Sequence, residues 1–279
     1  MPQPMSDSSN DHIAFIGGGN MASALIGGLL KRGLPASRIQ VIEPFAEQRA
    51  TLAQQFGVEV SEAPGEGLRR ASLMVWAVKP QTFRDAAAQS RAHTQGALHL
   101  SVAAGIRSDT IAGWLGTERV VRAMPNTPAL IGQGMTALFA RPGASPADRL
   151  AAERVVRTTG DYLWLEDETQ LDAVTALSGS GPAYVFYFIE AMVQAGTEMG
   201  LSREQAHRLA VSTFVGASAL AKEATEPLAV LRTRVTSKGG TTHAALVSME
   251  QGGIKAAFIE AIHAARQRAR EMGDEFGNA

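Results

Sequence analysis

The stretch HIAFIGGGNMASALIGGLLKRG, from His12 to Gly33, decides the fold of this chain. It opens with HIAFI, which is typical of a short buried strand, and ends with apolar residues at helical spacing. Between them, Gly17, Gly19 and Ala22 match the G-x-G-x-x-A pattern of a dinucleotide-binding loop. The first glycine permits a tight turn, the second lets a pyrophosphate approach the backbone, and the alanine lets the helix pack close to the strand.

A helix that begins at this loop favours an anion, because its N-terminus presents backbone N–H groups and the positive end of the helix dipole. The pattern alone is not specific, since a glycine-rich turn without function would also contain it. Its place between a predicted strand and a predicted helix favours a dinucleotide site. The residues of this loop predicted to contact the cofactor are Ile16, Gly17, Gly18, Gly19, Asn20, Met21 and Ala22.

Further strands follow at the spacing of a parallel, doubly wound sheet. The segments RIQVIEP, LMVWAVKP and ALHLSVAAG, and two strands around the loop MPNTP, alternate with helical stretches such as Ala46 to Phe56. This alternation predicts an α/β domain whose ligand lies at the carboxyl ends of the strands. Glu43 stands where a carboxylate can bind a ribose 2'-hydroxyl. The cofactor-contacting residues predicted at these strand ends are Glu43, Ala77, Val78, Lys79, Pro80, Ala103, Ala104 and Asn126.

The second half of the chain predicts helices without strands. Residues Tyr184 to Met192 are apolar on nearly every side, which predicts burial all round. Ser202 and Gln205 have the spacing of a capping box at the start of another helix. A few helices form a thin domain for so much apolar surface. We therefore infer that a second copy of the chain packs against them.

The composition excludes several classes of function. Lys and Arg number 26 against 27 Asp and Glu, so no nucleic-acid partner is expected. No apolar run approaches the length of a membrane span. The chain has no cysteine, and its six histidines lack HxxxH or HExxH spacing, so no metal site is expected. The opening MPQPMSDSSND has no basic residue and no apolar core, which predicts a short disordered tail and a cytoplasmic protein.

Six motifs, in this order, resemble the pyrroline-5-carboxylate reductase family over nearly the whole chain: FIGGGNMA, AVKPQ, SVAAG, MPNTP, LSGSGPAY and VTSKGGTT. The resemblance implies an amino-terminal Rossmann-type doubly wound domain, over residues 11–168, and an all-helical substrate-binding and dimerisation domain, over residues 169–279. It implies reduction of 1-pyrroline-5-carboxylate to L-proline by NADPH or NADH, the last step of proline biosynthesis. It also implies a homodimer or a higher homo-oligomer built from dimers.

The resemblance also gives a role to the turn VTSKGGTT. In this family the backbone N–H groups of the turn bind the substrate carboxylate, and Thr242 matches the hydroxyl that reaches the imine nitrogen, so Thr242 is the predicted catalytic residue. A plain helix cap is the other role open to Thr241 or Thr242. Lys238 departs from the family pattern, which commonly has proline there. The predicted substrate-binding residues are Ser237, Gly239, Gly240, Thr241 and Thr242.

Two other functions fit part of the pattern. A β-hydroxyacid dehydrogenase has a similar domain order, but it requires a lysine one turn before an asparagine at the domain junction, and LSGSGPAYVFYFIEA contains no lysine. A non-catalytic dinucleotide sensor would keep the glycine loop and would not need the turn SKGGTT. The choice of cofactor stays open, because the family pattern favours NADPH whereas the charge of Glu43 favours NADH. We expect both to be accepted.

Overall fold

The computed structural model describes residues 12–277, and these form two compact units. One unit contains residues 12–180 and 265–277, and the other is Gly181–Ala264. The tail MPQPMSDSSND, predicted to be disordered, lies outside the described residues. The predicted functional boundary between residues 168 and 169 stays a prediction.

The first unit is built on one sheet. Its strands are β1 (His12–Ile16), β2 (Ile39–Ile42), β3 (Glu59–Ser61), β4 (Ala71–Trp76), β5 (Leu98–Ser101), β6 (Val120–Met124), β7 (Gly134–Ala140) and β8 (Gly160–Trp164). Within the described residues, these eight strands lie in the order β3-β2-β1-β4-β5-β6-β7-β8. The pairs from β3 to β6 are parallel, as predicted.

The sheet departs from the parallel pattern at one pair, because β7 runs antiparallel to β6. The two strands are joined by residues 125–133, which contain a 3-10 turn at Thr127–Ile131. A parallel pair needs a crossover of a dozen or more residues, usually a helix, and this connection is too short for one. Strand β8 then pairs parallel with β7 and is the outermost strand on that side of the sheet.

Helices cover both faces of the sheet. Those of the first unit are α1 (Asn20–Lys31), α2 (Ala46–Phe56), α3 (Pro80–Ser90), α4 (Ser108–Leu115), α5 (Pro146–Val156) and α6 (Gln170–Val174). Ile13 and Phe15 of β1 pack in one core cluster with α1, α2 and α5, whereas Ala14 and Ile16 pack in another with α3 and α4. Successive strand residues point to opposite faces. Because both faces are buried, the four residues after His12 are all apolar instead of alternating with polar residues.

The second unit is helical. It contains α7 (Gly181–Glu198), α8 (Arg203–Glu223), α9 (Leu228–Arg234), α10 (Thr241–Gln251) and the first part of α11 (Ile254–Gly277). The predicted capping box is confirmed, since the Ser202 hydroxyl accepts from the Gln205 N–H at 3.2 Å and the Gln205 side chain accepts from the Ser202 N–H at 2.9 Å. Gly196 lets α7 approach α8, since a Cβ atom there would lie 2.9 Å from the Ala206 Cβ.

The predicted burial of Tyr184 to Met192 on every side is wrong for the single chain. Phe186 is 59% exposed and Tyr187 is 70% exposed, although both lie in the apolar run of α7. These exposed side chains belong to the apolar surface against which a second copy of the chain is predicted to pack. Within residues 12–277, no helix has both the length and the apolar character needed to cross a membrane.

Candidate cofactor and substrate sites

The carboxyl ends of four parallel strands form one edge of the sheet. Ile16 of β1 is in register with Ile42 of β2 and with Trp76 of β4, and Trp76 is in register with Ser101 of β5. The segments that follow these strands therefore leave the sheet side by side. They contain the glycine loop, Glu43, Ala77 to Pro80, and Ala103 with Ala104, so these predicted cofactor residues converge on this edge.

Gly17 makes the tight turn after β1. Its φ is 94°, in the region that favours glycine, and its N–H donates to the Ile42 carbonyl at 2.8 Å. A Cβ atom on Gly17 would lie 2.6 Å from the Ala77 carbonyl oxygen. The first glycine of the pattern is therefore required by the fold itself.

Gly19 differs from Gly17, because its surroundings are open. Its φ of −72° suits any residue. Among the described residues, apart from its own chain neighbours, no atom lies within 4 Å of a Cβ atom placed there. Gly19 is the N-cap of α1 and no side chain caps the helix, while Ala22 is fully buried beneath it. The loop thus leaves backbone N–H groups facing open space, which is what a pyrophosphate needs.

Glu43 is buried at 6% exposure, and its carboxylate faces the glycine loop. Oε2 accepts from the Gly18 N–H at 2.9 Å, and Oε1 accepts from the Phe45 N–H at 3.0 Å. Arg49 lies beneath the same turn, where its Nη1 donates to the carbonyls of Glu43 and Pro44 at 2.8 and 2.7 Å. The end of β2 is therefore a closed network that holds one carboxylate against the loop.

Gln48 is a residue of this site that the sequence analysis missed. Its Nε2 donates to the Gly18 carbonyl at 2.5 Å, so Gly18 is held through its N–H by Glu43 and through its carbonyl by Gln48. One indication of this role is present in the sequence, because Gln48 lies in the first turn of the helix that follows Glu43. Nothing in the sequence indicated which way that side chain points.

The remaining predicted cofactor residues at these strand ends differ in their burial and in the contacts they make within the protein. The Ala77 N–H donates to the Ile16 carbonyl at 2.8 Å, and Val78 is half-buried. Lys79 is the exposed N-cap of α3, and Pro80 is its first residue, where a missing N–H costs nothing. The Ala103 N–H donates to Ser101 Oγ at 3.3 Å, and Ala104 beside it is half-buried.

Asn126 lies at the end of β6, and both ends of its amide are occupied by protein groups. Its Oδ1 accepts from the Met135 N–H at 2.9 Å, and its Nδ2 donates to Ser178 Oγ at 3.2 Å. Ser178 lies in a π-helical turn, Thr175–Gly179, within the motif LSGSGPAY. Asn126 therefore joins the loop MPNTP to that motif.

The glycine turn of the second unit precedes α10. Gly239 has a φ of 74°, and Gly240 is the N-cap of the helix. Within the described chain no side chain caps α10, so neither Thr241 nor Thr242 acts as the cap, and both are its first residues. A Cβ atom on Gly240 would lie 2.5 Å from Ser237 Oγ, which keeps the turn tight. The uncapped N–H groups of this turn can bind a carboxylate.

The histidine and carboxylate side chains of the described residues do not form a metal-binding cluster. In the described part of the chain, no group of three or more His, Asp or Glu residues is arranged to hold a metal ion. The glycine loop and the turn before α10 instead support binding of anions by backbone N–H groups and hydrogen bonding by hydroxyls.

Known proteins match this chain along its length. Residues 168–272 match the model for pyrroline-5-carboxylate reductase dimerisation, and residues 12–105 match the model for NADP oxidoreductase, coenzyme F420-dependent. A pyrroline-5-carboxylate reductase of Pseudomonas aeruginosa is 45% identical over 96% of this chain and 99% of that protein. The chain belongs to the pyrroline-5-carboxylate reductase family.

Solved structures of the family agree with this assignment. A pyrroline-5-carboxylate reductase from Coxiella burnetii superposes with a TM-score of 0.88 at 36% identity, covering 95% of this chain and 99% of that one. A Plasmodium falciparum pyrroline carboxylate reductase, solved with NADP bound, has a TM-score of 0.85 at 27% identity and covers 95% and 98%. The predicted family, the α/β fold followed by a helical dimerisation domain, and NAD(P)H as the cofactor are confirmed.

Proposed function

We propose that this chain reduces 1-pyrroline-5-carboxylate to L-proline, with NAD(P)H held at the glycine loop and the substrate carboxylate held at the turn before α10. Family membership makes the chain an NAD(P)H-dependent oxidoreductase of proline biosynthesis. The observation that carries the residue assignment is the uncapped N-terminus of α10, preceded by Gly239 and Gly240. The β-hydroxyacid dehydrogenase and the dinucleotide sensor gain no support from the relatives found.

The described residues fit a dinucleotide at the sheet edge. The space above Gly19 is open, and α1 has no side-chain cap that a pyrophosphate would have to displace. Bound NAD(P)H supplies a hydride. The residues proposed to hold the cofactor are Ile16, Gly17, Gly18, Gly19, Asn20, Met21, Ala22, Glu43, Ala77, Val78, Lys79, Pro80, Ala103, Ala104 and Asn126.

The turn before α10 is proposed to fix the substrate by its negative end. The N–H groups of the first helical turn have no intrahelical partner, and the helix dipole favours an anion there. Ser237 and the two glycines shape this turn, and Thr241 begins the helix. A carboxylate held here leaves the imine end of the ring free to react.

Thr242 is proposed to orient the ring. Its hydroxyl is not used to cap α10, so it is available to the ring nitrogen. In the reaction the C=N double bond becomes a single bond, the carbon gains a hydride and the nitrogen carries a proton. A hydroxyl that accepts a hydrogen bond from the protonated nitrogen stabilises the form of the imine that accepts hydride. No nucleophile is required, because a protonated imine is already a good hydride acceptor.

The test is steady-state reduction of 1-pyrroline-5-carboxylate, followed by loss of cofactor absorbance and by proline formed. Thr242→Val keeps the shape and removes a hydrogen bond worth about 0.5–1.5 kcal/mol, or about 1.5–3 kcal/mol at a charged partner. We expect kcat/KM for the substrate to fall by about 2- to 150-fold, with cofactor KM unchanged and partial recovery in Thr242→Ser. Thr213→Val on α8 is the matched control, since within residues 12–277 the Thr213 hydroxyl donates to the Leu209 carbonyl of its own helix. No turnover by the parent would refute the function, and an unchanged Thr242→Val would remove Thr242 from the mechanism.

We also propose that the chain is a homodimer or a higher assembly of dimers. The supporting observation is the apolar surface that α7 and α8 expose in the single chain, and the match of this region to a dimerisation model. The largest exposed apolar side chains on these two helices include Phe186, Tyr187, Leu209, Val215 and Leu220. Sedimentation equilibrium that reports a monomer at micromolar concentration would overturn this proposal. The cytoplasmic location and the absence of a nucleic-acid partner stay predictions.

A further inference from the structure

The last part of α11 belongs to the first unit and contacts the segment between β5 and α4. We call this segment, residues 102–107, the β5–α4 loop. Ala269 and Gly273 of α11 are buried, Met272 and Phe276 are half-buried, and the residues between these four that face away are exposed. The spacing of three or four residues places the four on one face of the helix. One face of α11 therefore packs against the first unit.

A glycine on each side lets the helix and the β5–α4 loop approach closely. Gly105 has a φ of 76°, and a Cβ atom on it would lie 3.0 Å from Met272 Cβ and 3.2 Å from Met272 Cε. A Cβ atom on Gly273 would lie 3.2 Å from Arg107 Nε. Arg107 Nη2 donates to Asp274 Oδ1 at 2.6 Å. Gly105 therefore meets two requirements, a left-handed backbone and the space that Met272 occupies.

Phe276 connects this contact to the predicted cofactor residues Ala103 and Ala104. Its side chain packs against the core cluster that contains Ala103 and Ile106. Ala104 lies between these two residues in the same loop, at the carboxyl end of β5. The match to the dimerisation model ends before Phe276, so this residue lies outside the segment that the match assigns to dimerisation.

In the described part of the chain, hydrogen bonds hold the two ends of the β5–α4 loop. At one end, the Val102 N–H donates to the Trp76 carbonyl at 3.0 Å. Just beyond the other end, Ser108 donates to Glu168 through its N–H at 2.6 Å and through its hydroxyl at 2.5 Å. Between them, the N–H groups of residues 104–106 donate to no group of the described residues. Packing against α11 therefore restrains the middle of the loop, where glycine would otherwise permit several conformations.

We propose that the last part of α11 positions the β5–α4 loop for the cofactor, with Met272 and Phe276 as positioning residues that act through Ala103 and Ala104. The proposal rests on the cofactor site of the proposed function. Neither positioning residue is among those proposed to contact the cofactor. A loop that is ordered before binding removes the entropic cost of ordering it on binding, so loss of this packing weakens the affinity for cofactor.

The experiment measures the affinities for NAD+ and NADP+ by calorimetry on the full-length protein, in buffer where urea unfolding shows each variant to be folded. Phe276→Ala should weaken binding of the better-bound cofactor by about 3- to 10-fold, because the loop must then be ordered on binding. Met272→Ala should weaken it in the same direction. Phe276→Leu keeps an apolar side chain at the contact and should recover most of the lost affinity.

Trp114→Ala is the matched control. Trp114 is a half-buried aromatic residue that packs against the same core cluster as Phe276, but it lies near the C-terminal end of α4. Since β5 and β6 are parallel, α4 runs back toward the start of β6, and Trp114 lies away from the carboxyl ends of the strands. Trp114→Ala should lower the unfolding midpoint at least as much as Phe276→Ala and leave cofactor affinity at the parent's value.

Two results would overturn the proposal: a Phe276→Ala variant that binds cofactor as tightly as the parent, and a Trp114→Ala variant that loses as much affinity as Phe276→Ala. If Phe276→Ala does not fold, Met272→Ala decides, and an affinity equal to that of the parent overturns the proposal. Binding is measured without pyrroline substrate. A parent that binds cofactor and forms no proline therefore refutes the proposed reaction alone, whereas a parent that binds neither cofactor refutes the cofactor site and this proposal together.

Discussion

Gly17 and Gly19 belong to the same motif, and the structure predicts opposite consequences for replacing them. Gly19→Val places a side chain at a residue with φ of −72°, in space that no described atom beyond its chain neighbours occupies. The absence of packing limits the cost to about 0.5 kcal/mol, and valine is a poorer N-cap than glycine by about 1 kcal/mol. The same side chain would occupy the space through which a pyrophosphate reaches the N-terminus of α1. We therefore expect a folded protein that does not bind cofactor.

Gly17→Ala adds a smaller side chain and should do more damage to the fold. A φ of 94° places alanine in a left-handed region that costs about 1–2 kcal/mol. Its Cβ would lie 2.6 Å from the Ala77 oxygen and 2.9 Å from the Ala77 carbonyl carbon. Relief of this backbone overlap adds about 1–3 kcal/mol. The sum is about 2–5 kcal/mol, a large part of the stability of an ordinary domain.

Urea unfolding and cofactor calorimetry on both variants separate the two effects. We expect Gly19→Val to unfold at a urea concentration only slightly below that of the parent and to lose at least about tenfold in cofactor affinity. Gly17→Ala should unfold at clearly lower urea. The reasoning is refuted if Gly19→Val binds NAD(P)H as tightly as the parent, or if Gly17→Ala is as stable as the parent.

Two further predictions concern single side chains. Burial lowers the pKa of His99 to about 4 from its ordinary value near 6.5, and its Nδ1 accepts from Trp76 Nε1 at 3.0 Å. The pKa of His99 in the folded protein lies below its pKa in the unfolded chain. Neutral His99 therefore contributes about 3 kcal/mol to the free energy of unfolding above pH 6.5, and this contribution is lost as pH falls toward 4. Urea unfolding at several pH values should show this loss in the parent and not in His99→Asn, and parallel curves would contradict it. Lys238→Gln, in the substrate turn, should raise KM for the pyrroline substrate by up to about fivefold at low salt. The rise should be smaller at high salt, because salt screens an exposed charge. A KM equal to that of the parent at low salt would show that Lys238 does not act on the substrate.

Much of the first unit could be predicted from the sequence, because its signals are local. The strand, glycine loop and helix of residues 12–33 each have a pattern within a few residues, and the helix predicted at Ala46 to Phe56 has those bounds in the structure. The short edge strands β3 and β8 were missed, since Glu59–Ser61 contains a single apolar residue and the apolar part of Gly160–Trp164 is confined to its last three residues. Strand β7 runs antiparallel to β6 because the connection between them is short in sequence. That β7 pairs with β6 and not with another strand is decided by tertiary packing.

The chemistry of Glu43 shows where sequence reasoning stops. Its place at the end of β2 was predicted from its distance along the chain, and that part needs only the order of the elements. Its hydrogen bond to Gly18 joins residues 25 positions apart and depends on the register of β1 with β2. The same holds for the cap of α10. The motif offered two threonines as caps, and the structure uses Gly240 because the turn at Gly239 sets where the helix begins.

Asn126 shows that a motif residue at a ligand edge can act by holding the edge together. A side-chain contact from Asn126 to a cofactor would have to share or break its bonds to the Met135 N–H or the Ser178 hydroxyl. Breaking the first would leave a half-buried backbone donor at the start of β7 unpaired, which is unfavourable. Breaking the second would release the π-helical turn Thr175–Gly179. Such π-bulges frequently lie at functional sites. The amide of Asn126 is therefore better suited to keeping the loop MPNTP and the motif LSGSGPAY in register, and its backbone is the part left to face a cofactor.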